Sequence, residues 1–134
     1  MTHRSKLSQI VIDCADLDAG LAFWGGALGL DTAAATIEEP YGTLGDIGGL
    51  HIVAQRVPEP KTAKSRVHLD IETDDLEAEA RRLEALGARR GERHEGWWVM
   101  RDPCGNEFCV FGPQLSADFP AGARVWDEQA GYQA

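Results

Sequence analysis

The sequence predicts an α+β protein made of two β-α-β-β-β halves, and an internal repeat is the main reason. Asp16-Leu17 opens a helical stretch that ends at Leu28-Gly29-Leu30, and Asp75-Leu76 opens another that ends at Leu86-Gly87-Ala88. Asp16 and Leu17 map onto Asp75 and Leu76 at an offset of 59 (75 minus 16), as do Leu21 onto Ala80 and Trp24 onto Leu83. Leu28-Gly29 maps onto Leu86-Gly87 at 58, so one residue is lost inside the second helix. A period this long with two copies does not describe a solenoid. Two similar halves of one domain fit better, and the junction of such halves is where a pocket is expected.

The elements follow in order. Ser8 to Cys14 is rich in Ile and Val and reads as a strand. Asp16 is suited to cap a helix by accepting from an orphan N–H of its first turn. Leu17, Leu21, Trp24 and Leu28 make one apolar stripe, and Gly29 stops the helix. Weaker strand signals cover Leu30 to Ile37 and Tyr41 to Ile47, and a stronger one covers His51 to Val57. Pro58-Glu59-Pro60-Lys61 reads as the start of a linker, since X-Pro pairs favour extended backbone.

The second half repeats this order. Arg66 to Glu72 alternates, with Val67, Leu69 and Ile71 on one face and His68, Asp70 and Glu72 on the other. Thr73-Asp74-Asp75 starts a helix that runs through Leu86, with a solvated face carrying pairs such as Glu77–Arg81. Strands are expected near Ala88 to Arg93, Trp97 to Arg101 and Glu107 to Phe111, the last after the turn Asp102-Pro103-Cys104-Gly105-Asn106. The expected organisation is one domain over 1–111, with modules at about 7–57 and 66–111, and an irregular tail over 112–134 that holds Phe119, Trp126 and Tyr132.

Bulk composition mainly excludes. The 134 residues are 43% hydrophobic and carry a net charge of -9, so the basic footprint of a nucleic-acid binder is missing. No apolar run approaches the roughly 20 residues of a membrane span. Met1 to Lys6 is polar and leads directly into a strand, which argues against a signal peptide. Cys14, Cys104 and Cys109 are odd in number and form no framework, which points to reduced thiols and a cytoplasmic location.

The repeated order, Phe23-Trp24, Leu28-Gly29-Leu30, Val67-His68-Leu69-Asp70 and Asp102-Pro103-Cys104-Gly105-Asn106-Glu107-Phe108 together resemble the vicinal oxygen chelate superfamily, over about residues 7–111. That group includes glyoxalase I, bleomycin- and fosfomycin-resistance proteins and extradiol dioxygenases. The resemblance is nearest to small glyoxalase-like domain proteins. It implies two modules curling into a shared half-barrel with helices outside, and a homodimer.

Metal-dependent relatives place four ligands inward, one on the first and one on the last strand of each module. The resemblance puts the first-strand positions at Gln9 and His68, seven residues before Asp16 and Asp75. It puts the last-strand position of module two at Cys109, where relatives carry Glu. Aligning Asp46-Ile47-Gly48-Gly49 with Asp102-Pro103-Cys104-Gly105, at an offset of 56, gives Val53 in module one. A hard divalent ion wants about six ligands, mostly oxygen or imidazole. Val53 offers no donor, Gln9 is neutral, and an ionised Cys109 would favour zinc or another soft ion. His51 and Gln55 share a strand face with Val53 but join the set only through a register shift. Asp70 and Glu72 would have to reach from neighbouring strand positions, which fixed strand direction makes awkward. No cofactor and no catalytic metal are therefore expected.

His68 is the candidate catalytic residue, a proton carrier beside Asp70 and Glu72, although its alternation with Val67 and Leu69 is equally that of a solvent-facing histidine. Gln9, His51, Gln55, Asp70, Trp97, Trp98 and Cys109 are the candidate ligand-binding residues. Trp97 and Trp98 must point to opposite faces of their strand, one of them to the core. Trp126 has two expected places, over the pocket or against a dimer partner. The expected function is a metal-independent, glyoxalase-like protein that sequesters or transforms a small organic ligand in the cup between its modules. The alternative is a divalent-metal-dependent enzyme of the lyase, dioxygenase or thiol-transferase kind. A third possibility, supported only by the tail, is an interaction module without a ligand.

Overall fold

The computed structural model describes residues 1–113 and 115–127 and divides into two compact units, Met1–Pro60 and Lys61–Ala134. The break falls within the Pro-rich linker that the sequence predicts. Tyr132, expected in the tail, lies outside the described residues.

The first unit comprises β1 (Gln9–Cys14), α1 (Leu17–Leu28), β2 (Thr36–Glu38), β3 (Tyr41–Ile47) and β4 (Leu50–Arg56). The strands form one sheet in the order β1-β4-β3-β2, with β1 parallel to β4 and the other neighbours antiparallel. Asp16 caps α1 as expected, its carboxylate accepting from Ala19 N at 3.1 Å. Gly29 closes the helix in the left-handed region (φ 72°). The predicted strand over Leu30–Ile37 is mostly replaced by a 3₁₀ turn at Thr32–Ala34, because the Asp31 carboxylate binds Ala33 N at 2.9 Å and competes for the backbone.

The core of this unit forms where Leu17, Leu21, Phe23, Trp24 and Ala27 meet Cys14, Leu44, Ile52 and Ala54, all buried. Phe23 lies outside the predicted stripe yet is fully buried, and its ring meets Trp24 edge-on at 5.0 Å. Gly20 lets α1 approach β1: a Cβ there would stand 2.5 Å from Cys14 Sγ.

The second unit repeats the plan with β5 (Asp70–Glu72), α2 (Leu76–Ala85), β6 (Arg89–His94), β7 (Trp97–Arg101) and β8 (Glu107–Phe111), followed by a short α3 (Phe119–Gly122). Its sheet order is β5-β8-β7-β6, again with the first neighbours parallel and the rest antiparallel. Asp75 caps α2 by accepting from Ala78 N at 3.0 Å, the counterpart of Asp16. Ala80, Leu83, Ala88, Met100, Phe108 and Val110 are buried as the core.

The registers carry the repeat further than the sequence alone. Asp70 pairs with Cys109, Ile71 with Val110 and Glu72 with Phe111. Offsets of 59 on the first strand and 56 on the last turn these into Val11 with Val53, Ile12 with Ala54 and Asp13 with Gln55, which are the observed pairs of the first unit.

One expectation needs correction here. The predicted strand Arg66–Glu72 keeps only Asp70–Glu72. The segment before it folds back instead onto Glu107, with Lys61 Nζ at 2.9 Å and Ser65 N donating at 3.0 Å. The alternation that would bury Val67 therefore does not apply, and Val67 is 85% exposed. Glu77 is bound bidentately by Arg90 of β6 at 2.8 Å, and the Arg81 charge on the same helix helps to lower its carboxyl.

Candidate functional site

The face of the second sheet turned away from its core is set by alternation. In β8, Phe108 and Val110 are fully buried, so Glu107, Cys109 and Phe111 point the other way. In β7, Met100 is fully buried, so Trp97, Val99 and Arg101 share the opposite, open face. Three cross-strand rows result: Glu72 with Phe111 and Trp97, Asp70 with Cys109 and Val99, and Glu107 with Arg101.

At one edge of this face stand His68, Asp70 and Cys109. His68 Nε2 lies 3.2 Å from Asp70 Oδ1. One ligand atom from each of the three residues falls within 4.8 Å of the others. The expectation that strand direction makes Asp70 awkward is thus overturned: His68 precedes β5, so it is released from strand alternation and swings to the carboxylate. Burial pushes the Cys109 thiol above the ordinary thiol value, Asp70 adds to this, and Lys64 opposes it. Without a bound cation the thiol therefore stays protonated at neutral pH and is no ready nucleophile.

The surroundings are held by ion pairs and hydrogen bonds. Burial alone would raise the Glu107 carboxyl, but the bonds from Lys61 and Ser65 outweigh it and hold the group at about 2. Glu72, read from sequence as a neighbour of His68, accepts instead from Ser116 N at 3.0 Å and Ser116 Oγ at 2.6 Å, which ties the chain after β8 to β5.

The two tryptophans separate as predicted. Trp97 is on the open face, 40% exposed and stacked on His94 at 4.6 Å. Trp98 is a correction: it shares the core side with Met100, and Arg90 and Arg93 lie over its ring at 5.0 and 5.6 Å. Of the two places expected for Trp126, the one over the pocket is corrected: the ring stacks on Arg82 of α2 at 3.7 Å. Phe111, Val99 and Arg101 join the face without having been singled out, although the alternation of Glu107–Phe111 about Cys109 already implied the first.

In the first unit Gln9 stands opposite His51, and Asp13 opposite Gln55, along β1 and β4. His51 Nδ1 pairs with Asp46 Oδ1, and both side chains are about half exposed. Val53 is only 4% exposed and has no donor, so the four positions that the family resemblance assigns to a metal do not fit a hard divalent ion. Among the described residues, His68, Asp70 and Cys109 form the group that could hold a metal ion of another kind.

Comparison with known proteins agrees with this architecture. The fold is similar to that of a glyoxalase/bleomycin resistance protein from Albidiferax ferrireducens, at 18% identity over 79% of this chain and 98% of that one, with a TM-score of 0.59. It is similar to the fosfomycin resistance protein FosX from Mesorhizobium loti, at 18% identity, 84% and 96% coverage and a TM-score of 0.62. A lactoylglutathione lyase from Agrobacterium tumefaciens matches at 21% identity, 82% and 95% coverage and a TM-score of 0.53. No curated protein matches the sequence. The family model described as "Glyoxalase-like domain" matches residues 9–111, and with that span of the chain accounted for, this protein belongs to the glyoxalase-like domain family of the vicinal oxygen chelate superfamily.

Proposed function

We propose that this protein binds a small organic molecule against the open face of its second sheet and sequesters or transforms it without a hard catalytic metal. One observation carries this: apolar Trp97, Val99 and Phe111 share a face with the His68–Asp70 pair and Cys109. Flat apolar area beside a few convergent polar groups is the usual make-up of a small-molecule site. His68, within hydrogen-bond reach of Asp70, is the group that would accept or deliver a proton. A thermal-shift and tryptophan-fluorescence screen of small aromatic and carbonyl compounds tests the reading. Hits should weaken about tenfold or more in Trp97→Ala and keep their affinity in Trp98→Ala. Binding sensitive to Trp98 and indifferent to Trp97 would sink it.

The convergence of His68, Asp70 and Cys109 favours a second reading, a metal-dependent enzyme of the lyase, dioxygenase or thiol-transferase kind. Turnover of a carbonyl–thiol adduct that appears on adding a divalent ion and disappears in His68→Ala would support it. The reading also includes a homodimer in the cytoplasm, to be checked by sedimentation at micromolar concentration and by thiol titration in cell extracts. Three cysteines that form no disulfide among the described residues and the exposed Val67 support it.

A further inference from the structure

We infer that His68, Asp70 and Cys109 form a three-donor site for a soft divalent cation of the zinc class, contained within the second unit, which shares His68 and Cys109 with the family's four positions and takes Asp70 in place of the two from the first unit. The donor set is one imidazole nitrogen, one carboxylate oxygen and one sulfur. A hard ion such as magnesium or manganese wants an oxygen-rich shell of about six, which three residues with a sulfur among them cannot supply. Zinc accepts this mixture in a tetrahedron.

The geometry is already close to what zinc requires. With bonds of about 2.0–2.3 Å, the edges of a zinc tetrahedron measure about 3.3–3.8 Å. The three ligand atoms lie within 4.8 Å of one another, with His68 and Asp70 at 3.2 Å. Two of the three positions are fixed by backbone. Asp70 and Cys109 are partners in the parallel ladder, and Cys109 N donates to Leu69 O at 2.9 Å. His68 stands just outside β5 and is free to turn. The His68 and Asp70 side chains are about half exposed, so an ion can reach them from solvent. Asp70 and an ionised Cys109 match the charge of a divalent ion, with Lys64 the cation that bears on Cys109. Three protein donors leave a fourth position open toward the face that carries Val99 and Trp97, which is the pattern of zinc sites that take a water or a small ligand.

The site does not depend on organic-ligand binding and is tested apart from it. The full chain, reduced and stripped with a chelator, is titrated separately with zinc, cobalt, manganese and magnesium ions. One zinc per chain is expected, with manganese and magnesium about 100-fold weaker or worse. Cobalt should show a sulfur-to-metal charge-transfer band. Cys109→Ser should abolish the band, and Cys109→Ser and Asp70→Asn should each weaken zinc about tenfold or more. Cys14→Ser and Cys104→Ser should change neither. Should Cys109→Ser fail to fold, protection of Cys109 from iodoacetamide by zinc, lost in Asp70→Asn, decides the question. The inference is overturned if zinc does not bind at micromolar concentrations, if it binds equally well to the Asp70 and Cys109 variants, or if manganese binds as tightly. None of these outcomes bears on the Trp97 contrast, which is measured without metal.

Discussion

The two units pair their strands in the same order and the same register, and then fill equivalent positions with opposite chemistry. At matching register positions, Gln9, Val11 and Val53 of the first unit correspond to His68, Asp70 and Cys109 of the second. On the helices, Gly20 and Phe23 of α1 correspond to Glu79 and Arg82 of α2, at the offset of 59. Phe23 is fully buried, and Arg82 is only 1% exposed. A repeat that conserves backbone pairing evidently leaves each unit free to bury a ring or a charge at one site, provided that the charge is answered. Arg82 is answered by Glu79, with Nε–Oε1 at 2.6 Å and Nη2–Oε2 at 3.0 Å, and by the ring of Trp126. The second unit thus recruits its tail to finish a core that the first unit completes with apolar side chains.

This contrast is broken most strongly at Arg82. Arg82→Met leaves Glu79 as a buried, unanswered carboxylate and should cost about 3–5 kcal/mol in urea unfolding. Adding Glu79→Leu should restore most of the loss, because an apolar pair can replace a buried ion pair at little cost. If the double variant is no better than the single one, the pair is not the unit of stabilisation.

The hairpin turns come next. Asp102 is fully buried, and its carboxylate accepts from Cys104 N at 2.9 Å, Asn106 N at 2.8 Å and Asn106 Nδ2 at 2.9 Å. Asp46, its aligned counterpart, stands exposed before a Gly48-Gly49 turn and pairs with His51. Asp102→Ala should therefore cost about 2–3 kcal/mol by orphaning three part-buried donors at once, and Asp46→Ala within about 0.5. Equal losses in thermal melts would show that the two turns are held alike.

How far these features can be read from sequence depends on whether they are local. The Asp16 and Asp75 caps, the Gly29 stop and the Asp102 turn each rest on contacts within about four residues, and all were legible. The alternation of β8 likewise announced the face that carries Cys109. Arg82 was not legible as a core residue, because its partner Trp126 lies far along the chain and its charge argues for solvent. The retreat of β5 to Asp70–Glu72 was hidden for the same reason. It depends on Lys61 and Ser65 finding Glu107, 46 and 42 residues away. With the length of β5 went the placement of His68 outside the strand, although Asp70 was already read as its neighbour.

Glu107 gives a pH test of that hidden contact. Its counterpart in the first unit is His51 (107 minus 56), whose side chain pairs with Asp46. Glu107 is held at about 2, below the ordinary 4.5. A depressed carboxyl contributes stability that is fully present above the ordinary value and is lost as pH falls toward 2. After allowance for solvent screening, the loss between pH 5 and pH 2 should be on the order of 1–2 kcal/mol. Glu107→Gln should flatten that part of the stability profile, whereas His51→Ala should leave it unchanged. An unaltered acid limb in Glu107→Gln would remove the contact from the account.

The smallest expected effect on stability comes from transplanting the second unit's cluster into the first. Since Val11 pairs with Val53 as Asp70 pairs with Cys109, the changes Gln9→His, Val11→Asp and Val53→Cys should rebuild the donor set on β1 and β4. Val11 is partly exposed and cysteine is smaller than valine, so the fold should lose only about 1 kcal/mol. Made in a Cys109→Ser background, the graft should regain zinc binding about tenfold over that parent. It should stay weaker than the native site, because Gln9 is held inside β1 opposite His51, while His68 stands outside β5 and can turn toward its partners. Zinc titration followed by the cobalt band measures both expectations. Affinity no better than that of the Cys109→Ser parent would mean that shared register is not sufficient, and that the release of His68 from its strand is what separates the two units chemically.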